Sequence, residues 1–361
     1  MTYRYHRIGK YLVCLDQSIC DAVKIVGFGH DKYKLRSIGI SRAAGRKAAI
    51  IVARGNFGLL NAAQQMVLPV FGHIAMRVHR GFKVFDFNKL EVTKVFDQGT
   101  PSDTATQELA ASKQASEVGA APSYIAEDPG LAWYREEYVC GVHATDPEFR
   151  AGAEILDFYP DVERCLLDLV SCKPAIHVNA VAHINRHADI SFRDRWLKAG
   201  LDLKEVDEIV TYVERIQQWL LDQPKPDQLR LVLTHGDFSL VNAISTGAGL
   251  RFIDWEGVAP GGLYSDILHF LFVEKYYDRA SASFAKDMSA FIEKYRKSIQ
   301  ARFPELCQAA EIDITFARRQ YYLERLSLLL DRDVSSNLCK VVSKSIAMFR
   351  DFDRDAGDSA V

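Results

Sequence analysis

The sequence predicts an α+β protein in which a small antiparallel sheet precedes a larger, mainly helical region. Apolar and polar residues alternate from about residue 73 to residue 139, which is the period of half-buried strands. Beyond residue 141 apolar residues recur at helical spacing instead, most regularly between Asp202 and Gln223. Between these helical stretches, two short apolar runs enclose a polar loop at 234–242.

Composition indicates a globular protein without a strongly charged partner. The chain has 361 residues, 48% of them hydrophobic, and 45 Lys and Arg against 47 Asp and Glu, so its net charge is −2. Nucleic acid and anionic membranes attract basic surfaces, and we therefore expect neither as a partner. Seven scattered cysteines without a CxxC pair indicate a reducing compartment. No apolar run approaches the ~20 residues of a membrane span, and we expect a cytoplasmic protein without a transmembrane segment.

Residues 1–70 are predicted to be an N-terminal extension of unclear fold. Within it, Lys47–Ala53 indicates a buried strand, and a glycine turn at Gly55 and Gly58 leads into a helix-like stretch, Leu59–Val67. A strand, a glycine turn and a helix could hold a phosphate at the helix N-terminus. The glycine spacing matches neither the dinucleotide fingerprint nor the P-loop, so an extension used for packing or for substrate is favoured over a second nucleotide site.

Residues 71–140 are predicted to form the sheet and one helix. Alternating residues indicate three antiparallel strands, His73–Val78, Lys83–Phe87 and Leu90–Phe96. A tight turn at 88–89 joins the last two strands. A capping-box-like start at Thr104–Gln107 and a stop at Gly119 delimit the helix. A further hairpin over 123–139 then leads to the helical region.

Residues 141–350 are predicted to be mainly helical, with a flexible tail over 351–361. Asp202 and Glu205 resemble the cap of the clearest helix. His183 and His187 are four residues apart and could share a helix face as metal ligands. No third ligand accompanies them, which disfavours a metal site.

The stretch 231–256 carries the residues that point to chemistry. Two apolar runs, 231–233 and 250–253, are predicted strands, and polar residues stand at their ends. Asp237 and Asn242 are five residues apart on one loop, so one can face a reacting hydroxyl while the other faces a metal. A hairpin would bring Asp254 back beside Asn242. A carboxylate base with an oxygen pair for Mg²⁺ is what phosphoryl transfer requires.

The segment His235-Gly-Asp237-x-x-x-x-Asn242, followed by Ile253-Asp254-Trp-Glu256, resembles the catalytic loop and metal motif of the aminoglycoside phosphotransferase and choline kinase family. That family is a small-molecule branch of the protein-kinase-like fold. The resemblance therefore implies a bilobal structure, with an antiparallel-sheet N-lobe over 71–140 and a helical C-lobe over 141–350. The residues of these motifs most resemble those of phosphotransferase-family proteins of bacterial surface-polysaccharide assembly.

The resemblance implies roles for residues of the catalytic loop. Asp237 would be the catalytic base, and Asn242 and Asp254 would be the Mg²⁺ ligands. His235 and Asp266 would support the loop structurally. A chance loop and a strand end are the alternative interpretation, which the order and spacing of the two motifs disfavour.

The resemblance also implies a nucleotide site in the sheet region. Lys94 would bind the phosphates of ATP and pair with Glu108 of the following helix, for which Glu117 is the alternative partner. The backbone near Glu137 and Val139 would bind adenine. A solvent-facing lysine on an edge strand is the alternative for Lys94, and the three-glycine loop of protein kinases is missing.

The function implied by the resemblance is an ATP- and Mg²⁺-dependent kinase that phosphorylates a hydroxyl of a small-molecule acceptor, with a sugar or glycan precursor favoured. An aminoglycoside or choline/amino-alcohol kinase is an alternative, although the mixed charges of 141–230 do not select a polycation. A catalytically inactive nucleotide-binding regulatory module is another. A protein kinase is disfavoured because neither Asp-Phe-Gly nor Ala-Pro-Glu follows Asp254.

Overall fold

The structure, a computed structural model, describes residues 2–8, 10–27, 41–56, 60, 64–78, 80–130, 132–146, 155–172, 174–224, 226–277, 284–306, 313–330 and 336–355. The chain divides into two compact units. The first, here called the sheet unit, comprises Met1–Ala153 with Leu240–Val258, and the second, the helical unit, comprises Glu154–Ser239 with Ala259–Val361. The α+β class predicted from the sequence is confirmed.

The strands in chain order are β1 (Tyr3–Ile8), β2 (Tyr11–Cys14), β3 (Gln65–Leu68), β4 (Ile74–Val78), β5 (Gly81–Asp86), β6 (Glu91–Phe96), β7 (Tyr124–Glu127), β8 (Trp133–Glu137), β9 (Val142–His143), β10 (Ile176–Asn179), β11 (Gln228–Thr234), β12 (Ala243–Thr246), β13 (Gly249–Phe252) and β14 (Ala259–Gly262). The α-helices are α1 (Ile19–Asp21), α2 (Arg42–Asn56), α3 (Ser102–Glu117), α4 (Tyr159–Ser171), α5 (Ala180–His187), α6 (Phe192–Lys198), α7 (Leu203–Asp222), α8 (Ser265–Tyr277), α9 (Phe284–Arg302), α10 (Ile314–Leu330) and α11 (Ser336–Asp355). Short 3-10 turns, Leu240–Asn242 and Trp255–Gly257, flank the β12–β13 hairpin.

The sheet unit is built on an antiparallel sheet with the strand order β3-β1-β2-β4-β5-β6-β8-β7. Strands β4, β5 and β6 are the three strands that alternation predicted, and the chain turns between β5 and β6 at 87–90. Helix α3 occupies the predicted helical segment, and Gly119 beyond its end has a φ of +78°, which suits glycine. A smaller sheet, β13-β12-β9, completes this unit.

The N-terminal residues differ from the prediction. Lys47–Ala53 was predicted as a strand, but it lies within helix α2. The buried residues of α2 are Gly45, Ala48, Ala49 and Val52, which follow helical spacing, whereas Ile50 is exposed. The β-branched residues of this run suggested a strand, and packing of the alanine-rich face onto the sheet decides for a helix.

The predicted helix over 59–67 is also absent from the part of that range which the structure describes. Residues 65–68 form β3, which pairs with β1 through Tyr3 and Leu68. Pairing with the edge of β1 therefore decides for a strand over the helical pattern of the local sequence. The predicted glycine turn includes residues 57–58, which lie outside the described residues. Strands β1 and β2 join the same sheet as β4, so residues of the predicted extension contribute to that sheet.

The helical unit contains the three-stranded sheet β10-β11-β14 and the longer helices. Helix α7 confirms the clearest helical prediction, and Asp202 caps it by accepting hydrogen bonds from the backbone N–H groups of Lys204 (2.9 Å) and Glu205 (3.2 Å). Among the helices that the structure describes, none combines the length and apolar character needed to span a membrane.

Helix α11 extends to Asp355, beyond the predicted start of the flexible tail at 351. Two of its last residues, Phe352 and Asp353, are buried. Asp353 accepts a hydrogen bond from the hydroxyl of Tyr322 at 3.0 Å and pairs with Arg318 at 2.9 Å. Because this segment is mostly polar, its sequence does not indicate these buried contacts. Residues 356–361 lie outside the described residues.

Candidate active site

The β12–β13 hairpin of the sheet unit brings Asn242 and Asp254 together. Ala243 pairs with Phe252, and the N–H of Ile253 donates to the carbonyl of Asn242 at 2.8 Å. The residues just outside the two strands are therefore neighbours, as the sequence predicted. The side chains of Asn242 and Asp254 line one cavity of about 320 Å³.

Asp254 has a left-handed backbone conformation, with φ 71° and ψ 57°. This conformation costs a non-glycine L-residue about 1 kcal/mol, and such strain is concentrated at functional sites. Its Oδ1 accepts a hydrogen bond from Nζ of Lys83 at 2.9 Å. Lys83 lies on β5 and lines the same cavity, but the sequence analysis assigned it no role.

Lys94 and Glu108 are brought together by β6 and α3, as predicted, with Nζ 3.7 Å from Oε1. Both side chains are almost completely buried, at 1% and 3% exposure. The hydroxyl of Tyr134 on β8 donates to the same Glu108 oxygen at 3.1 Å. Lys94 is not among the residues that line the cavity of Asn242 and Asp254.

Glu136 of β8 is a site residue that the sequence analysis missed. It is buried and lines the cavity. Burial raises its pKa to about 7; the charge of Lys83 lowers the pKa, while the charge of Asp254 raises it. The sequence could have indicated this residue, because it is an acid at a position where the alternation of a strand predicts an inward-facing side chain.

The predicted adenine-binding residues, Glu137 and Val139, line the same cavity. The carboxylate of Glu137 accepts hydrogen bonds from the N–H (3.2 Å) and hydroxyl (2.8 Å) of Ser123. Apolar side chains form much of the remaining lining: Met76, Val78, Phe85, Val92, Val241, Ile244 and Ile253. A cleft that combines apolar walls with convergent polar groups is typical of a small-molecule or cofactor site.

Asp237 stands on a loop of the helical unit that Asp266 holds in place. The carboxylate of Asp266 accepts hydrogen bonds from the backbone N–H groups of His235 at 2.7 Å and Gly236 at 3.1 Å. Burial raises the pKa of Asp266 to about 7, although these two hydrogen bonds act in the opposite direction. Gly236 has a φ of +76°, which explains a glycine between His235 and Asp237.

His235 is fully buried, and its Nδ1 accepts a hydrogen bond from the backbone N–H of Asp237 at 3.3 Å. The ring also packs edge-on against Phe238, with 5.9 Å between centroids. Both contacts lie within the catalytic loop, where the resemblance implies a structural role for this histidine.

His269 contacts Asp237 directly, which the sequence analysis did not foresee. Its Nε2 lies 2.9 Å from Oδ1 of Asp237, and its Nδ1 lies 2.7 Å from the hydroxyl of Tyr321. Burial, together with the charge of Arg325, lowers the pKa of His269 to about 4, so the ring is neutral at pH 7. Burial raises the pKa of the Tyr321 hydroxyl, which therefore stays protonated and donates to Nδ1. Nε2 consequently carries the proton and donates to Asp237.

Arg325 of α10 is the second side chain on Asp237. Its Nη1 donates to the carbonyl of Gly236 at 3.0 Å, and its Nη2 lies 3.5 Å from Oδ1 of Asp237. Burial acts to raise the pKa of Asp237, but the hydrogen bond from His269 and the charge of Arg325 hold it well below its ordinary value. The Asp237 side chain remains 51% exposed, so an ionised carboxylate is presented to solvent.

The histidine pair of the sequence analysis lies on α5 with 4.5 Å between ring centroids. Nε2 of His183 is 2.9 Å from the carboxylate of Glu324, which also accepts hydrogen bonds from Ser265 (2.9 Å) and Gln320 (2.7 Å). Within the described ranges, no group of three or more His, Cys, Asp or Glu side chains is arranged to hold a metal ion. The contacts of His183 are thus those of a structural hydrogen-bond network.

A comparison with protein-family models identifies the family. Residues 88–299, more than half of the chain, match the model of the phosphotransferase enzyme family, APH. The chain belongs to the phosphotransferase enzyme family. The match covers the segment that contains Lys94, Asp237, Asn242, Asp254 and Asp266.

Solved structures place this phosphotransferase in the same fold as choline kinases and aminoglycoside phosphotransferases. Choline kinase from Cryptosporidium parvum Iowa II is 14% identical, with a TM-score of 0.51, and the match covers 80% of this chain and 87% of that one. A thermostable mutant of aminoglycoside phosphotransferase APH(4)-Ia, in ternary complex with ADP and hygromycin B, is 13% identical, with a TM-score of 0.50 and coverage of 79% and 95%. Choline kinase LicA from Streptococcus pneumoniae is 12% identical, with a TM-score of 0.50 and coverage of 75% and 90%. No curated protein sequence matches significantly.

Proposed function

We propose that this phosphotransferase is an ATP- and Mg²⁺-dependent kinase that transfers the γ-phosphate to a hydroxyl of a small molecule. The observation that carries the proposal is Asp237, an ionised carboxylate that is half-exposed although His269 holds one of its oxygens. A carboxylate of this kind can accept the proton of an acceptor hydroxyl, or orient that hydroxyl, during phosphoryl transfer.

The cavity of the sheet unit supports the nucleotide half of the proposal. Asn242 and Asp254 offer an amide oxygen and a carboxylate, and hard oxygen donors suit Mg²⁺, which is typically bound by one or two carboxylates together with substrate phosphates and water. When bound, Mg²⁺ would neutralise charge on the transferring phosphate. The hairpin holds both donors in place, and the apolar lining near Val139 would accommodate the adenine ring.

We further propose that the acceptor is a neutral hydroxyl compound, a sugar or glycan precursor. Arg325 places a guanidinium 3.5 Å from Oδ1 of Asp237, with 22% of its side chain exposed. A cation at this position repels polycations such as aminoglycosides and, more weakly, choline. It is compatible with a sugar hydroxyl, and the Arg325 N–H groups can also donate hydrogen bonds to sugar oxygens.

The test is Mg²⁺-dependent ADP release across sugars, aminoglycosides, choline and amino-alcohols. Asp237→Asn keeps the size of the side chain and removes the base, so we expect kcat to fall by about 10²- to 10⁴-fold while the KM for ATP changes little. Asp222→Asn, at the exposed end of α7, is the matched control and should retain wild-type kinetics.

Stimulation by a sugar that Asp237→Asn abolishes supports the proposal. Stimulation by an aminoglycoside or by choline alone contradicts the sugar acceptor but retains the kinase. If Mg·ATP does not raise the melting temperature of the wild-type protein, the nucleotide half of the proposal is wrong.

A further inference from the structure

A second cavity lies on the sheet unit, on the face of the sheet opposite the proposed nucleotide cavity. Along β6, Thr93 lines the second cavity while its neighbour Val92 lines the first. Along β8, Arg135 and Glu136 are divided between the two cavities in the same way. Successive side chains of a strand point to opposite faces, so the sheet itself separates the two cavities.

We propose that this second cavity, here called the aromatic cleft, binds a neutral polyhydroxylated ring, such as a sugar unit of a saccharide. The inference goes beyond the proposed function, because it concerns a site that faces away from the nucleotide. Among the residues that line the aromatic cleft are Tyr3, Phe71, Asp86, Thr93, Trp133 and Arg135.

The size and the walls of the aromatic cleft suit one sugar ring. Its volume is about 240 Å³, which equals about eight water molecules at ~30 Å³ each. Tyr3 and Phe71 pack edge-on with 5.4 Å between their ring centroids, and Trp133 is the third aromatic residue. All three are only partly buried. The C–H faces of a sugar ring are apolar, and packing them against aromatic rings removes apolar surface of both partners from water.

Two buried polar side chains of the cleft have hydrogen-bonding capacity that the described part of the chain does not use. Thr93 is 3% exposed, and its Oγ1 accepts a hydrogen bond from Nε of Arg135 at 3.2 Å, while its hydroxyl proton has no acceptor among the described residues. Asp86 is 6% exposed, and its Oδ1 accepts hydrogen bonds from the backbone N–H groups of Asn88 (3.1 Å) and Lys89 (3.3 Å). Its Oδ2 accepts none from the residues that the structure describes. A buried donor and a buried acceptor of this kind favour a ligand that supplies the missing partners.

The charges of the cleft favour a neutral ligand. Asp86 and Glu91 stand directly opposite each other in the β5–β6 ladder, where like charges repel. Nζ of Lys89 lies 4.0 Å from Asp86. Nη1 of Arg135 lies 3.3 Å from Glu91, so each carboxylate has a cation beside it and the four charges cancel. A charged ligand gains little from such a lining, whereas a ring with several hydroxyls can both donate to Asp86 and accept from Thr93.

Fluorine NMR of the full-length wild-type chain reports on the cleft directly. Incorporation of fluorinated tryptophan gives one signal for each tryptophan, and Trp133→Phe identifies the signal of the cleft. The other three tryptophans do not line the cleft and serve as internal controls: Trp196, Trp219 and Trp255. The probes are glucose, galactose, mannose and N-acetylglucosamine, with choline as a cation of similar size.

We expect at least one sugar to shift the Trp133 signal in a saturable way, with a Kd of about 10 mM or tighter, and choline to cause no saturable shift. Thr93→Val retains the shape of the side chain and removes its hydroxyl, so the Kd for that sugar should rise at least about fivefold. Thr106→Val, at an exposed position of α3, is the matched control and should leave this Kd unchanged.

Three results would overturn the inference. The first is a Trp133 signal that no sugar shifts at about 100 mM. The second is tighter binding of choline than of any sugar, which would show that the cleft selects a cation. The third is a sugar Kd that Thr93→Val leaves unchanged although the three control signals show a folded protein. None of these results depends on ADP release, so the proposed function is tested separately.

Discussion

Nε2 of His269 lies 2.9 Å from Oδ1 of Asp237, and this contact connects the proposed catalytic base to the interior of the helical unit. Tyr321 donates to the other ring nitrogen, so the orientation and tautomer of the imidazole are both determined. Asp237 is consequently a carboxylate with one oxygen held by a neutral donor. We expect this arrangement to control the position of the base more than its charge.

The first prediction concerns turnover. His269→Leu removes the N–H donor to Asp237, and we expect kcat to fall about tenfold, the rate equivalent of one hydrogen bond to a charged group. The KM for ATP should change less than about twofold, since His269 belongs to the helical unit. His269→Gln retains an N–H donor and should recover part of kcat. Equal losses for leucine and glutamine would show that His269 acts only through packing.

The second prediction concerns stability and pH. The pKa of His269 is about 4 in the folded protein, against an ordinary value of 6.5. As the pH falls, the unfolded chain therefore binds a proton at His269 before the folded protein does. The free energy of unfolding therefore loses this contribution as pH falls from about 6.5 to about 4, by about 1.4 kcal/mol per pH unit. Asp266, whose pKa is raised to about 7, contributes in the opposite direction over the same range.

Comparison with a variant isolates the histidine from Asp266. Between pH 7 and pH 4.5, the free energy of unfolding of the wild type should fall by about 2 kcal/mol relative to His269→Gln. Urea unfolding of both proteins at several pH values measures this difference. A difference that does not change with pH would mean that His269 is not held neutral by the fold.

The third prediction concerns acceptor choice. Arg325→Gln removes the cation beside Asp237, and we expect the ratio of kcat/KM for a cationic acceptor to that for a neutral sugar to rise about fivefold. Raising the salt concentration should reduce the difference between wild type and variant. Arg193→Gln is the control, because Arg193 pairs with Asp207 on the surface of the helical unit at 3.0 Å. An unchanged ratio in Arg325→Gln would remove the electrostatic basis for a neutral acceptor.

The fourth prediction concerns the end of α11. Asp353→Ala leaves the buried guanidinium of Arg318 without its carboxylate, and we expect a loss of about 3–5 kcal/mol in the free energy of unfolding. Asp351→Ala, two residues earlier, removes a side chain that is 53% exposed and pairs with Arg354, and it should cost less than about 0.5 kcal/mol. Similar melting temperatures for the two variants would indicate that this segment is not anchored.

Local patterns predicted much of the sheet unit. The β5–β6 hairpin, helix α3 and the return of the chain from Asn242 to Asp254 all follow from short-range periodicity and turn residues. The same reasoning was wrong at Lys47–Ala53, where a short run with β-branched residues fits a strand as well as a helix. Contact with the sheet, which is distant in sequence, decided between them.

The sequence by itself determined the phosphotransferase motifs and the proximity of Asn242 to Asp254, because these residues and Asp237 lie close together in the chain, on one loop and one hairpin. Only the tertiary structure decided which lysine lines the cavity, since the pairing of β5 with β6 places Lys83 opposite Lys94 and local periodicity does not specify how deeply each side chain is buried. It also decided what surrounds Asp237: Arg325 stands 88 residues further along the chain, and its approach depends on how α10 packs. Burial and long-range contact are properties of the packed chain, and short-range periodicity does not encode them.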